Sequence, residues 1–98
     1  YVFQMNIKDK HSDKVVSAYP LFKGVEGSAT AIQIKKGEQL KEHITKTEAF
    51  LICVSGSARF ENEKGETHDL KSGDCVLIEP IVKHWVDGIE TCQLVLLK

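Results

Sequence analysis

Residues 37 to 60 read Gly37-Glu-Gln-Leu-Lys-Glu-His43-Ile-Thr45-Lys-Thr-Glu48-Ala49-Phe-Leu-Ile-Cys53-Val-Ser-Gly56-Ser-Ala-Arg-Phe60. An apolar run from Phe50 to Val54 stops at Ser55-Gly56 and restarts as Ser57-Ala58-Arg59-Phe60, the pattern of strand, turn and strand. Gly37 and Gly56 bracket it, as glycine does where backbone turns with positive φ. His43 stands at the mouth of this stretch, and three roles are open to it: metal ligand, pocket wall or packing.

Outward from this stretch the chain keeps the same rhythm. Ser28 to Lys35 alternates, with Thr30, Ile32 and Ile34 on one face and Gln33 and Lys35 on the other. Val15 to Phe22 has strand content, and Pro20 demotes its second half to an edge or a bulge. Leu40 to Thr45 reads as a polar strand, and Glu48 to Val54 is apolar on both faces, as where one sheet packs on another. Asn62-Glu-Lys-Gly65 predicts a hairpin turn into Thr67 to Lys71. Cys75 to Ile78 is a core strand broken by Glu79-Pro80. Lys83 to Val86 and Thr91 to Leu97 close the chain, divided at Asp87-Gly88. Tyr1 to Ile7 is a short strand-like lead, and residues 8 to 14 form a polar loop containing His11. Nine or ten short strands with no helical period predict an all-β sandwich or barrel, with two antiparallel sheets of the jelly-roll kind.

The 98 residues suffice for one core and one domain spanning 1 to 98. Apolar residues make up 42% and charged ones 28%, values ordinary for a soluble globular protein. A net charge of −1, with lysines scattered along the chain, supplies no electrostatic pull toward nucleic acid or an anionic membrane. No apolar run approaches the roughly 20 residues of a membrane span, and no signal-peptide pattern is present. Cys53, Cys75 and Cys92 are odd in number and lack metal-type spacing, so free thiols in a cytoplasmic protein are expected.

The spacing of glycines and histidines resembles the two motifs of the cupins. In the first, Gly37, His43 and Gly56 fall in register, while Thr45 stands at the second histidine position and Ala49 at the glutamate position. In the second, Gly73 and His84 fit; Glu79 takes the proline position, Ile81 the glycine position and Gly88 the asparagine position. The resemblance implies a cupin-type double-stranded β-helix, a jelly-roll barrel. It also implies a homodimer, since cupins commonly associate through sheet edges, and a small-molecule ligand as partner. The barrel hosts isomerases, dioxygenases, decarboxylases and sugar sensors alike, so fold alone does not choose an activity.

Cupin metal sites use three histidines and a glutamate pointing inward. Side chains alternate along a strand, so inward ligands share parity, as His43, Thr45 and Ala49 do. Threonine is a poor ligand for a borderline metal and alanine is none, and two imidazoles fall short of three protein ligands. No cofactor is therefore expected, and the predicted pocket is lined by His43, Thr45, Ala49, Cys53 and His84, with Phe50, Phe60 and Trp85 as nearby apolar mass. The alternative is a metal-dependent enzyme of the dioxygenase or isomerase type. There His43, His84 and Glu48 would hold a divalent transition metal, Glu48 being re-aimed by a β-bulge. His68 and Glu79 are expected at the surface, as is His11 in its polar loop.

Overall fold

The computed structural model describes residues 3–98. Nine strands form in order: β1 (Val16–Lys23), β2 (Ser28–Ile34), β3 (Gln39–His43), β4 (Ala49–Ser55), β5 (Ser57–Asn62), β6 (Thr67–Lys71), β7 (Cys75–Ile78), β8 (His84–Gly88) and β9 (Cys92–Leu97). A five-stranded sheet in the order β1-β2-β9-β4-β7 faces a four-stranded sheet in the order β3-β8-β5-β6. All their pairings are antiparallel. This is the expected all-β jelly roll. Among the described residues no helix is long and apolar enough to cross a membrane.

The core lies between the two sheets. Ile32, Ile34, Leu51, Cys53, Cys92 and Leu94 come from one face; Ala58, Phe60, Leu70 and Val86 come from the other. Alternation along each strand sends these residues inward, and fully burying one such Leu, Val or Phe contributes about 1.5–3 kcal/mol. Between β4 and β5 the chain crosses from one sheet to the other at Gly56 (φ +82°). A Cβ there would fall on the Thr91 carbonyl oxygen and lie 2.7 Å from Cys92 Cα, so only glycine fits the crossing. The Asn62–Gly65 hairpin forms as expected. The Asn62 carboxamide oxygen accepts from the amides of Lys64 and Glu66, and its nitrogen donates to the Glu66 carboxylate.

Two expectations are corrected. The lead does not extend as a strand. Asn6 caps a 3-10 turn over Ile7–Lys10, its side-chain oxygen accepting from Lys8 N at 2.9 Å, while Tyr1 and Val2 lie outside the described residues. His11 is not solvated: its Nδ1 sits 2.9 Å from Ser17 Oγ and its Nε2 is buried without a partner. With Lys10 Nζ placed 5.9 Å from the centre of the Tyr19 ring, this contact lays the N-terminal segment across the outer face of β1.

Candidate functional site

β3 is the edge of the four-stranded sheet, and its register against β8 slips between Leu40 and His43. Leu40 pairs with Val86 and His43 with His84, so three residues of β3 advance where β8 advances two. A bulge of this kind flips parity. Leu40 packs against the core, and His43, three residues later, again lies against an inward side chain of β8. The bulge expected at Glu48 therefore lies at Lys41–Glu42, and it positions a histidine. Glu48 itself is exposed ahead of β4.

The two imidazoles meet. His84 Nε2 is 3.1 Å from His43 Nε2, with ring centres 4.2 Å apart and planes inclined by 62°. His84 is 2% exposed and His43 half-buried. Phe60 lies against the other face of His84 at 5.6 Å and 24°. His68 follows at 6.4 Å from Phe60, on an exposed position of β6. A row of four rings thus crosses the inner face of the four-stranded sheet, from β3 through β8 and β5 to β6.

Backbone contacts set the ring nitrogens. His43 Nδ1 is 3.2 Å from the Lys41 carbonyl oxygen, and His84 Nδ1 is 3.3 Å from that of Val82. A carbonyl only accepts, so each contact calls for Nδ1–H. Both Nε2 atoms then present lone pairs to each other. The clash is relieved when one ring gives up its carbonyl bond for the other tautomer, or when a donor arrives from outside. Burial, with the neighbouring His43 charge second, holds His84 below the ordinary imidazole value.

Thr45 lies two residues beyond His43. Ile44 is 50% exposed and Thr45 4%, so the alternation that follows His43 turns the threonine inward. Its hydroxyl is buried and has no partner, while its carbonyl accepts from Ile81 N at 2.8 Å. Ala49 lies on the inward face of β4, paired with Ile78. Cys53 shares that face but not that height. Four residues of strand put it about 13 Å further along, where its Sγ contacts the carbonyls of Ser55 and Gly56.

Two of the aromatic residues expected near the pocket face elsewhere. Phe50 alternates with buried Ala49 and Leu51 and lies on the outer face of the five-stranded sheet. Trp85 alternates with buried His84 and Val86 and lies on the outer face of the other sheet. It lines a cleft of about 400 Å³ with Gln39, Lys41 and Glu42. A second cleft of about 520 Å³ runs between β1 and β3, over Val15, Val16 and Leu40. Glu79 is paired with Lys64 at 2.8 Å, a surface ion pair.

No group of three or more His, Cys, Asp or Glu side chains converges among the described residues. The donor set at the ring pair is two imidazoles, which does not fit a resident metal ion needing three protein ligands.

The cupin domain family matches residues 31–97, two thirds of the sequence and every strand from β3 to β9. The chain belongs to the cupins. Solved structures agree on the fold. A conserved protein of unknown function from Streptococcus pyogenes superposes with a TM-score of 0.83 at 16% identity, over 99% of this chain and 86% of its own. An RmlC-like cupin from Desulfovibrio desulfuricans gives 0.83 at 12% identity, over 99% and 95%. A protein with a double-stranded β-helix domain from Klebsiella pneumoniae gives 0.83 at 15%, over 99% and 89%. At such identities the likeness concerns the fold alone. No curated protein matches the sequence.

Proposed function

We propose that this cupin is a cytoplasmic protein that binds a small organic molecule at the end of the barrel that holds His43, His84 and Thr45. One observation carries the reading: close in sequence to a histidine pair on a largely apolar inner face, the Thr45 hydroxyl is buried with no partner. The two Nε2 atoms of the pair stand 3.1 Å apart, a hydrogen bond only when one of them carries the proton. A buried polar atom left unpaired costs about 1–3 kcal/mol, and a ligand bringing an O–H or N–H donor recovers it. Phe60 offers an apolar wall beside the pair, and half-buried His43 gives access from solvent. Ala49 adds buried apolar surface on the inward face of β4.

The test is a fragment screen by protein NMR, using small phenols, amides and carboxylic acids against the full chain. Binders are expected to shift the His43 and His84 ring resonances and to lose affinity at least about tenfold in Thr45→Val with His84→Gln. Binders that shift only Trp85 and its neighbours would move the site to the outer cleft and sink the proposal.

A second reading, a metal-dependent enzyme, is favoured by one feature. Each Nδ1 is turned to a backbone carbonyl, the arrangement usual for histidines that ligate metal through Nε2. Near-stoichiometric iron, nickel, manganese or zinc after dialysis, lost in His84→Ala, would establish it over the first.

A further inference from the structure

The segment ahead of β1 is held to the sheet through side chains. Among the described residues, no backbone–backbone bond ties residues 6 to 14 to a strand. The first such tie comes at Val15, whose carbonyl accepts from Lys35 N at 2.9 Å just before β1 begins. The 3-10 turn Ile7–Lys10 buries none of its residues, and the segment adds nothing to the core between the sheets. Its contacts fall instead on residues 10 to 13. Lys10 Nζ stands 5.9 Å from the centre of the Tyr19 ring. His11 Nδ1 is 2.9 Å from Ser17 Oγ, and Ser12 N donates to the same oxygen over a long 3.4 Å. Lys35 Nζ donates to the Asp13 carbonyl at 3.1 Å.

His11 is the member of this group that can change state. Either neutral tautomer satisfies the contact with Ser17, because a hydroxyl both donates and accepts. The other nitrogen, Nε2, is buried without a partner. An imidazolium carries N–H on both nitrogens, so protonation would leave a charged donor buried with nothing to accept from it. No carboxylate stands ready to compensate. From β1 the ring meets Ser17, and the Tyr19 phenol further along that face is engaged by Lys10. Lys8, Asp9, Asp13 and Lys14 of its own segment are exposed, and the amine that reaches over from the end of β2 is a cation, Lys35. Burial alone therefore sets the ring below its ordinary value of 6.5.

We infer that residues 6 to 14 form an acid-released strap, closed over Ser17 while His11 is neutral and freed about a hinge at Val15 when both ring nitrogens carry protons. The closed strap favours the neutral ring. Closure is thus complete above the ordinary value and is lost as pH falls through the lower value of the closed form. The core does not have to move. Release bares Ser17, otherwise 6% exposed, at the end of a polar row that register continues through Gln33 to Gln93 on the outer face of the sheet. Gln93 donates to Gln33 at 2.7 Å, and its own Oε1 has no partner.

The test is NMR of the full chain from about pH 7.5 to about pH 5, following the His11 ring, the {1H}–15N NOEs of residues 6 to 14 and amide exchange in β4 and β9. On acidification the NOEs of the segment are expected to fall with the midpoint of the His11 titration, while β4 and β9 amides keep their protection. His11→Phe cannot take up the proton, and its segment is expected to behave alike at both ends of the range. Ser17→Ala weakens the closed form, so the His11 midpoint is expected to rise toward 6.5. A segment that stays ordered at about pH 5 while the His11 ring titrates would overturn the inference. A segment that still loosens with acid in His11→Phe would hand the effect to another group, with the same result. Loss of β4 and β9 protection at the same midpoint would make the event global unfolding and overturn it too.

Discussion

His84 shows how far a residue's role can be read before its surroundings are known. Register marked it as the partner of His43, and the structure brings the two within 3.1 Å. Spacing did not disclose how. Parity counting assumed an unbroken strand, whereas the slip at Lys41–Glu42 lets Leu40 and His43 both serve the interior. A bulge between two polar residues leaves no mark in an alternation pattern that is polar already. Cys53 was misplaced in height for a related reason: parity gives the face of a strand, not the distance along it. The pH dependence of stability belongs to this scale. Burial holds His84 below its ordinary value of 6.5, so on acidification the unfolded chain takes up this proton first. The stability conferred by neutral His84 is complete above the unfolded-state value and is lost as pH falls through the folded-state value. His11, also held low by burial, acts in the same direction. Urea midpoints at about pH 7.5 and about pH 5 should differ in wild type and differ less in His84→Phe, which keeps a ring against Phe60 and removes the titration. An equal drop in both would assign the effect to other groups.

At the scale of elements, the turn between β7 and β8 carries a strain that the motif comparison made visible. Ile81 stands where the family pattern has glycine, and it adopts φ 65°, the one non-glycine residue with positive φ among the described residues. Left-handed backbone costs a side-chain-bearing residue roughly 1–2 kcal/mol, and a β-branched one is disfavoured further. The turn persists because Ile81 N donates to the Thr45 carbonyl at 2.8 Å, tying the entry of β8 to the segment after β3. That one bond joins the two stretches that supply the imidazoles. The Ile81 side chain is 64% exposed, so removing it sacrifices little packing. Ile81→Gly is therefore expected to stabilise, with the relieved strain partly offset by about 0.5–1 kcal/mol of extra freedom in the unfolded chain. Calorimetry should show Tm rising by about 4 °C, on the scale of 1 kcal/mol for a domain of this size. A lower Tm would mean that the Ile81 side chain holds the turn through contact. Most of the strands were legible from alternation and glycine spacing. The lead was not, because Asn6 accepting from Lys8 N competes locally with extension.

For the whole molecule, the three thiols distinguish opening of the barrel from local motion. Cys53 on β4 and Cys92 on β9 are both fully buried in the core between the sheets, and Cys75 on β7 is exposed. Burial raises both core thiols, Cys92 to about 11, with Asp74 adding to the effect at Cys53 and Cys53 at Cys92. The reactive thiolate is thus scarce in the native state even before access is considered. Cys53 pairs with Leu94, and Cys92 belongs to the same β9 that β2 and β4 enclose from either side, so neither sulfur is reached without parting the central strands. In a domain of this size such parting is expected to be global unfolding, and labelling of both should be slowed by the folding equilibrium constant, on the order of 10³ or more. Mass spectrometry of alkylated peptides across a urea series should find Cys53 and Cys92 labelled at a common rate, rising with urea along the slope of the unfolding transition. Cys75 should be labelled early and without that slope. If Cys92 were labelled well ahead of Cys53, the β9 end would open by itself, and the two sheets would not behave as a single cooperative core.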